Sequence, residues 1–223
     1  MAGAGWLNRR PVCRNPPVSV SLLHMLENRL ATHRPAKPWL RPLMKRSAVA
    51  LVLQVREGEL HILMIKRAER EGDPWSGHMA FPGGRMDPAD AHGYDVALRE
   101  TREEVGLDLA LQGRCIGRLS DLNARPQRGA LGMAVSPFVF RLDHAAHFQL
   151  NYEVAEVVWV PLEFLLNNAN RDTMRWQRNR MTLNMPCYLY RKYRIWGLSL
   201  AMLDELMDIA EGSRQRRRSW PRR

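Results

Sequence analysis

Cysteine and long apolar runs are both scarce in this chain of 223 residues. The three cysteines, Cys13, Cys115 and Cys187, lie far apart and form no C-x-x-C pair, so they predict neither a disulfide framework nor a structural zinc site. The longest apolar run, 48–53, is far shorter than the roughly 20 residues that a membrane-spanning helix needs. These absences favour a reduced, cytoplasmic setting and exclude a transmembrane helix.

Acidic residues are almost absent from the two ends of the chain, although they are common between them. The formal net charge is +11, to which residues 1–47 contribute +8 and residues 213–223 contribute +6, whereas 48–212 carries −3. Basic blocks of this kind are typical of solvated tails. The alternatives are an organellar transit peptide at the N-terminus and non-specific binding of nucleic acid by the basic tails, which we do not favour.

Strand-like and helix-like segments follow one another along the chain, which predicts an α/β (α+β) fold with a mixed sheet. We divide the chain into a basic N-terminal extension with a short helix (1–46), one globular domain (47–212) and an arginine-rich tail (213–223). The predicted elements are strands over 47–55, 60–65, 116–119, 133–142 and 156–160, a helix over 94–105 that ends at Gly106, a short helix opened by Pro161, an irregular segment over 170–185 and a closing helix over 195–209.

Three glutamates lie close together on the predicted helix 94–105. Glu100, Glu103 and Glu104 occupy positions i, i+3 and i+4, so their side chains share one face, with neighbouring Cβ atoms about 5–6 Å apart. A hard divalent cation such as Mg²⁺ or Mn²⁺ would turn the repulsion between their carboxylates into attraction. A solvated acidic surface is the alternative for this pattern alone. A loop with Gly83 and Gly84 before the helix favours a metal and phosphate site, because glycine permits close approach of the backbone to a phosphate.

The segment R-E-T-R-E-E-V-G-L (99–107) resembles the core of the Nudix box. The general form of that box is G-x5-E-x7-R-E-U-x-E-E-x-G-U, in which U is apolar. Asp90 replaces its first glutamate, eight rather than seven residues separate Asp90 from Arg99, and Thr101 takes an apolar position.

With these departures, the segment resembles the box of one branch of the family, the coenzyme A diphosphatase-like Nudix proteins. That branch carries F-P-G-G-x-x-D-P-x-D followed by A-L-R-E-x-x-E-E-V-G-L, and residues 81–90 and 97–107 are similar to it. The segment 63–68, which contains Arg67, is similar to the upstream L-L-T-x-R-S element of the branch, although Ile65 replaces the threonine.

The resemblance implies a fold and a set of site residues. The implied fold is the Nudix α/β/α sandwich, a mixed curved sheet between helices, with the Nudix hydrolase domain over 47–212. The implied ligands of Mg²⁺ or Mn²⁺ are the three helix glutamates. Glu153 is a candidate for an additional ligand or for the general base, and Glu103 is the other candidate for the base. The remaining implied site residues are Arg99, which orients the carboxylates, and Arg67, Gly83 and Gly84, which contact the substrate.

The implied function is metal-dependent hydrolysis of a nucleoside diphosphate linked to another moiety. The favoured substrates are coenzyme A and its derivatives, cleaved to 4′-phosphopantetheine and adenosine 3′,5′-bisphosphate, with Lys66, Arg67 or Arg70 as a partner of the 3′-phosphate. One alternative is hydrolysis of ADP-ribose, dinucleotides or capped RNA. An alternative of another class is a non-catalytic, nucleic-acid-binding Nudix scaffold, which would not need the three helix glutamates. A homodimer is compatible with the sequence.

Overall fold

The computed structural model describes residues 18–72, 75–124, 132–178 and 181–213. The N-terminal segment for which a transit peptide is the alternative and most of the arginine-rich tail lie outside the described residues. None of the helices in these ranges combines the length and the hydropathy that crossing a membrane requires.

A mixed sheet of eight strands forms the centre of the fold. Strand β1 (Lys45–Arg56) pairs in parallel with β7 (Met133–Leu142) and antiparallel with β2 (Glu59–Arg67) and β4 (Gly83–Arg85). The sheet is completed by β3 (Met79–Ala80), β5 (Gly113–Arg118), β6 (Leu122–Ala124) and β8 (Val154–Pro161).

Helices pack against both faces of this sheet. The helices are α1 (Val18–Thr32), α2 (Gly93–Val105), α3 (Leu109–Gln112), α4 (Leu162–Leu166) and α5 (Gly197–Glu211), with short 3₁₀ turns at Arg41–Leu43 and Asn168–Asn170.

The alternation of side chains along β1 separates two cores, because successive residues of a strand point to opposite faces. Ala48, Ala50 and Val52 pack in the cluster that includes the buried face of α2. Leu51 and Leu53 pack in the other cluster, with α1 and α5. The observed layers are therefore helix, sheet and helix, and the predicted α/β/α sandwich with a mixed sheet is confirmed.

The predicted helix over 94–105 corresponds to α2, which extends from Gly93 to Val105. Gly106 ends it in the left-handed region at φ 73°, and a Cβ there would lie 2.9 Å from the Cβ of Gln149. Glycine is therefore required at this position both by the backbone conformation and by the loop that packs on it.

Two predictions near the C-terminus are wrong. The segment 170–185, predicted as irregular, forms β9 (Arg171–Arg178) and most of β10 (Met181–Tyr190), which pair antiparallel in a second sheet with β11 (Tyr193–Trp196). The helix predicted over 195–209 starts only at Gly197, since its first two residues belong to β11. Gly197 has φ 67°, and this left-handed residue separates the strand from the helix.

Helix α1, from the predicted N-terminal extension, packs into the main core. Leu23, Leu26 and Leu30 are buried, at a spacing of three and four residues, in the cluster that contains α5. Arg29 donates to the backbone carbonyls of Ile209 and Ala210, near the C-terminal end of α5. The boundary predicted at 46/47 remains a prediction, but α1 shares its core with the rest of the described chain.

We expect Leu26→Ala to lower the free energy of unfolding by about 2–5 kcal/mol, because it leaves a cavity at a fully buried position. Urea denaturation followed by circular dichroism measures this change. The matched control is His24→Ala on the exposed side of the same helix, for which we expect a change within about 0.5 kcal/mol. Equal losses in the two variants would contradict the packing of Leu26 in the core.

Candidate active site

The two glycines predicted to lie in a loop lie instead in strand β4. Gly83 and Gly84 pair with Val49 and Ala48 of β1. A Cβ on Gly83 would lie 2.3 Å from the carbonyl oxygen of Ala48, and a Cβ on Gly84 would lie 2.2 Å from Oε1 of Glu100. The prediction of a loop is wrong because a strand with no side chains at two positions fits between β1 and α2. This close approach places the backbone N–H of Gly83 beside the carboxylate of Glu104.

Glu104 is the most deeply buried of the three helix glutamates, with 3% of its surface exposed. Its Oε2 accepts a hydrogen bond from the N–H of Gly83 at 2.9 Å. Burial, together with the negative charges of Glu100 and Glu153, raises the pKa of Glu104 to about 7, against the lowering effects of the Gly83 hydrogen bond and of Arg67. The same interactions show that Arg67 and Glu153 lie within electrostatic reach of this carboxylate.

Arg99 connects the outer carboxylates of the site. Its Nη2 and Nε donate to the two oxygens of Asp90 at 2.9 and 3.2 Å. Its Nη1 lies 3.0 Å from Oε1 of Glu100 and 3.1 Å from Oε2 of Glu103. The hydrogen bonds from Arg99 lower the pKa of Asp90. Asp90, which stands at the first glutamate position of the box, therefore anchors the arginine that contacts two of the helix glutamates.

Thr101 occupies an apolar position of the box without leaving its hydroxyl unsatisfied. The residue is fully buried, and its Oγ1 donates to the carbonyl oxygen of Ala97, one turn earlier in α2, at 2.7 Å. The methyl group of the side chain is therefore compatible with the apolar core.

Burial also raises the pKa of Glu100, and the nearby charges of Glu103 and Asp87 act in the same direction, while Arg99 opposes them. Two neighbouring carboxylates of the helix, Glu100 and Glu104, are therefore both shifted towards the neutral form. Such shifts accumulate where acidic groups are held together out of water, as they are at catalytic and metal-binding sites.

Glu153 reaches the site on a loop that is bonded to the end of α2. The N–H groups of Gln149 and Asn151 donate to the carbonyls of Val105 and Glu104 at 2.9 and 3.0 Å. The carbonyl of Glu153 accepts from the N–H of Ala68 at 2.8 Å, which ties the loop to the end of β2. Its carboxylate lies 3.6 Å from Nη1 of Arg70.

The structure thus brings most of the predicted site residues together. Gly83 bonds to Glu104, Gly84 lies against Glu100, and the charges of Arg67, Glu100 and Glu153 act on Glu104. Glu103 is more exposed, with 54% of its side chain accessible, and it contacts Arg99.

Hard divalent cations take carboxylate oxygens, so the donor set of Glu100, Glu103 and Glu104 fits Mg²⁺ or Mn²⁺ in its chemistry. In the described ranges of the chain, no three His, Cys, Asp or Glu side chains form a group that could hold a metal ion as they stand. Glu100 and Glu103 both contact the guanidinium of Arg99 in this structure. A cation held by the three glutamates would compete with Arg99 for them.

Sequence reasoning did not select Tyr152 as a site residue. Tyr152 directly precedes Glu153 in the chain and is 77% exposed. The guanidinium carbon of Arg70 lies 4.5 Å from the centroid of its ring. The signal in the sequence is an aromatic residue directly before Glu153, which does not distinguish a site residue from a surface residue.

Comparisons with known proteins agree with the resemblance inferred from the box. The family model described as the NUDIX domain matches residues 44–182. The chain is 32% identical over 173 residues to the human mitochondrial coenzyme A diphosphatase NUDT8, covering 77% of this chain and 72% of that protein. It is 30% identical over 177 residues to the mouse peroxisomal coenzyme A diphosphatase NUDT7, covering 74% and 70% of the two chains.

Among solved structures, a Caenorhabditis elegans Ap4A hydrolase is similar, with 20% identity, a TM-score of 0.45, and coverage of 56% of this chain and 86% of that chain. The family match spans more than half of the chain, and the relatives in the coenzyme A diphosphatase branch are at least 30% identical over about three quarters of it. The chain therefore belongs to the Nudix hydrolase family and resembles its coenzyme A diphosphatase-like branch.

Proposed function

We propose that this protein hydrolyses the diphosphate of coenzyme A or its derivatives in the presence of Mg²⁺ or Mn²⁺, giving 4′-phosphopantetheine and adenosine 3′,5′-bisphosphate. The observation that carries the proposal is the buried carboxylate of Glu104, held by the N–H of Gly83 beside Glu100. The names of the human and mouse relatives support the choice of coenzyme A among nucleoside diphosphates.

Each group of the site has a distinct part in this reaction. A divalent cation held by Glu100, Glu103 and Glu104 would neutralise the diphosphate oxygens and acidify the attacking water. Arg67, whose charge already acts on Glu104, would contact a phosphate oxygen with its planar set of donors.

We assign the role of general base to Glu153 rather than to Glu103. The charge of Glu153 acts on the buried Glu104, whereas Glu103 is on the exposed side of α2 and contacts Arg99. The carboxylate of Glu153 would remove a proton as the water oxygen forms a bond to phosphorus. The P–O bond of the anhydride then breaks, and its electron pair leaves with the other phosphate.

The cellular compartment is also a proposal. Cys115 and Cys187 are free thiols in the structure, which supports a reducing environment such as the cytoplasm. The transit peptide proposed as an alternative lies in residues outside the described ranges, and the mitochondrial and peroxisomal locations belong to the named relatives.

We expect Glu103→Gln and Glu104→Gln each to remain folded and to lower kcat at least about 100-fold, the scale of losing a metal ligand or a base. Turnover with Mg²⁺ and circular dichroism of each variant measure the two properties. Glu163→Gln, at an exposed position of α4, is the control and should leave kcat unchanged. Full activity in both site variants would remove the assignment of the site.

The raised pKa of Glu104 predicts how stability depends on pH in the protein without divalent metal. Because the pKa is about 7 in the folded state and near 4.5 in the unfolded state, folding favours the protonated form. The raised pKa therefore contributes on the order of 3 kcal/mol to the free energy of unfolding below pH 4.5, and this contribution is lost as the pH rises through 7.

Urea denaturation of the wild type and of Glu104→Gln from pH 5 to pH 8, in the presence of a chelator, tests this dependence. The wild type should lose stability relative to the variant as the pH rises. A difference between the two proteins that does not change with pH would show that Glu104 is not shifted.

We expect coenzyme A to be cleaved with a kcat/KM about tenfold or more above that of ADP-ribose or NADH. The reason is one additional charged contact, to the 3′-phosphate that the other two substrates lack. Because the charge of Arg67 acts on Glu104 and we assign Arg67 to the diphosphate that all three substrates share, Arg67→Ala should lower kcat/KM for all three alike. Parallel assays read by mass spectrometry provide the comparison. Faster turnover of ADP-ribose would refute the choice of substrate but would leave the family assignment in place.

A further inference from the structure

An exposed aromatic ring lies next to the proposed base of the candidate site. Tyr152 is 77% exposed, and it immediately precedes Glu153, whose charge acts on the buried Glu104. Because consecutive Cα atoms are about 3.8 Å apart, the ring is mounted within one residue of the proposed base. Arg70 contacts both this ring and the carboxylate of Glu153, so a flat group stacked on the ring would lie beside the guanidinium that faces the proposed base.

The backbone that carries this ring is fixed on both sides. Asn151 donates through its N–H to the carbonyl of Glu104 at 3.0 Å, and its Oδ1 accepts from the N–H of Glu153 at 2.8 Å. The carbonyl of Glu153 in turn accepts from the N–H of Ala68. A ring on a backbone held in this way loses little further freedom when a ligand stacks on it, so the surface is organised before binding.

Arg70 is held against the same ring. Its guanidinium carbon lies 4.5 Å from the ring centroid, its Nη2 lies 3.4 Å from the carbonyl oxygen of Tyr152, and its Nη1 lies 3.6 Å from Oε1 of Glu153. Its backbone N–H donates to Oγ of Ser76 at 2.9 Å, which closes the loop that carries it. A guanidinium presents five N–H donors in one plane, which is enough to bind a phosphate while keeping these contacts.

We propose that Tyr152 and Arg70 form the subsite for the nucleoside end of the substrate, with the purine stacked on the Tyr152 ring and Arg70 bound to the phosphate on the 3′ oxygen of the ribose. The proposal rests on the proposed function, since it assigns the two ends of a coenzyme A-like molecule to the site. Stacking on aromatic side chains accepts any flat base, whereas a charged donor next to the ring selects a nucleotide with an additional phosphate.

The first experiment measures how much the adenine base contributes to binding. Dissociation constants are determined by calorimetry on the full chain, with probes that are not turned over. The probes are AMP and ribose 5-phosphate, which differ only by the adenine base. The wild type should bind AMP about tenfold more tightly, Tyr152→Phe should keep this ratio, and Tyr152→Ala should abolish it. Trp39→Ala, which removes an aromatic side chain that is 86% exposed between α1 and β1, is the control and should keep the wild-type ratio.

The second experiment compares adenosine 3′,5′-bisphosphate with AMP, which lacks the 3′-phosphate. The wild type should favour the bisphosphate by about 10- to 150-fold, the range of one charged hydrogen bond, and Arg70→Ala should remove the preference. Arg67→Ala should retain it, because Arg67 is assigned to the diphosphate.

The outcomes separate this subsite from the proposed function. If Tyr152→Ala leaves the ratio of the affinities for AMP and ribose 5-phosphate unchanged, the assignment of the purine to Tyr152 is wrong. If Arg70→Ala leaves the preference for the bisphosphate unchanged, the assignment of the 3′-phosphate to Arg70 is wrong. Binding that depends on Tyr152 and Arg70 in a protein that does not cleave coenzyme A would support the subsite and refute the proposed substrate.

Discussion

The close approach of strand β4 to helix α2 is the constraint on which the rest of the site depends. It requires that Gly83 and Gly84 have no side chains, because a Cβ on either would overlap β1 or the carboxylate of Glu100. The approach brings the N–H of Gly83 to Glu104 and excludes water from that carboxylate. Burial then raises the pKa of Glu104 and leaves a carboxylate whose charge is favoured when a cation or another positive group approaches. One steric requirement of the sequence thus determines both the geometry and the electrostatics of the site.

Arg99 offsets the repulsion between the carboxylates on the acidic face of α2. It contacts Glu100 and Glu103 and is itself held by the nearly buried Asp90. The replacement of the first glutamate of the box by Asp90 is therefore compatible with the site, because the shorter side chain still reaches the guanidinium. The helix carboxylates fall into an inner one bonded to β4 and outer ones bonded to Arg99, a division that spacing alone does not reveal.

The parts of the fold that could be predicted were those with a local signal. The central strands have short β-branched and apolar runs, and α2 has its periodicity and Gly106 at its end. The second sheet could not be predicted in this way, because Met and Arg interrupt the apolar and β-branched residues of β9 and β10. Its partners are distant in sequence: Arg171 pairs with Asp204 of α5, and Trp196 packs against His78 with ring centroids 5.1 Å apart.

The candidate site shows the same limit. The glutamates and Arg99 follow from their positions on one helix, but the place of Glu153 depends on hydrogen bonds between the loop and the end of α2. No periodic pattern in the sequence indicates those bonds, and the same holds for the contact of Arg70 with Tyr152.

The central claim is that water cleaves the diphosphate of coenzyme A at this site. The most direct measurement is to incubate the purified full-length chain with coenzyme A and Mg²⁺ in oxygen-18-labelled water and to identify the products by mass spectrometry. The account predicts 4′-phosphopantetheine and adenosine 3′,5′-bisphosphate, with a single labelled oxygen on the phosphate of one product. Coenzyme A that stays intact with the folded chain and metal, or cleavage without incorporation of the label, would contradict it.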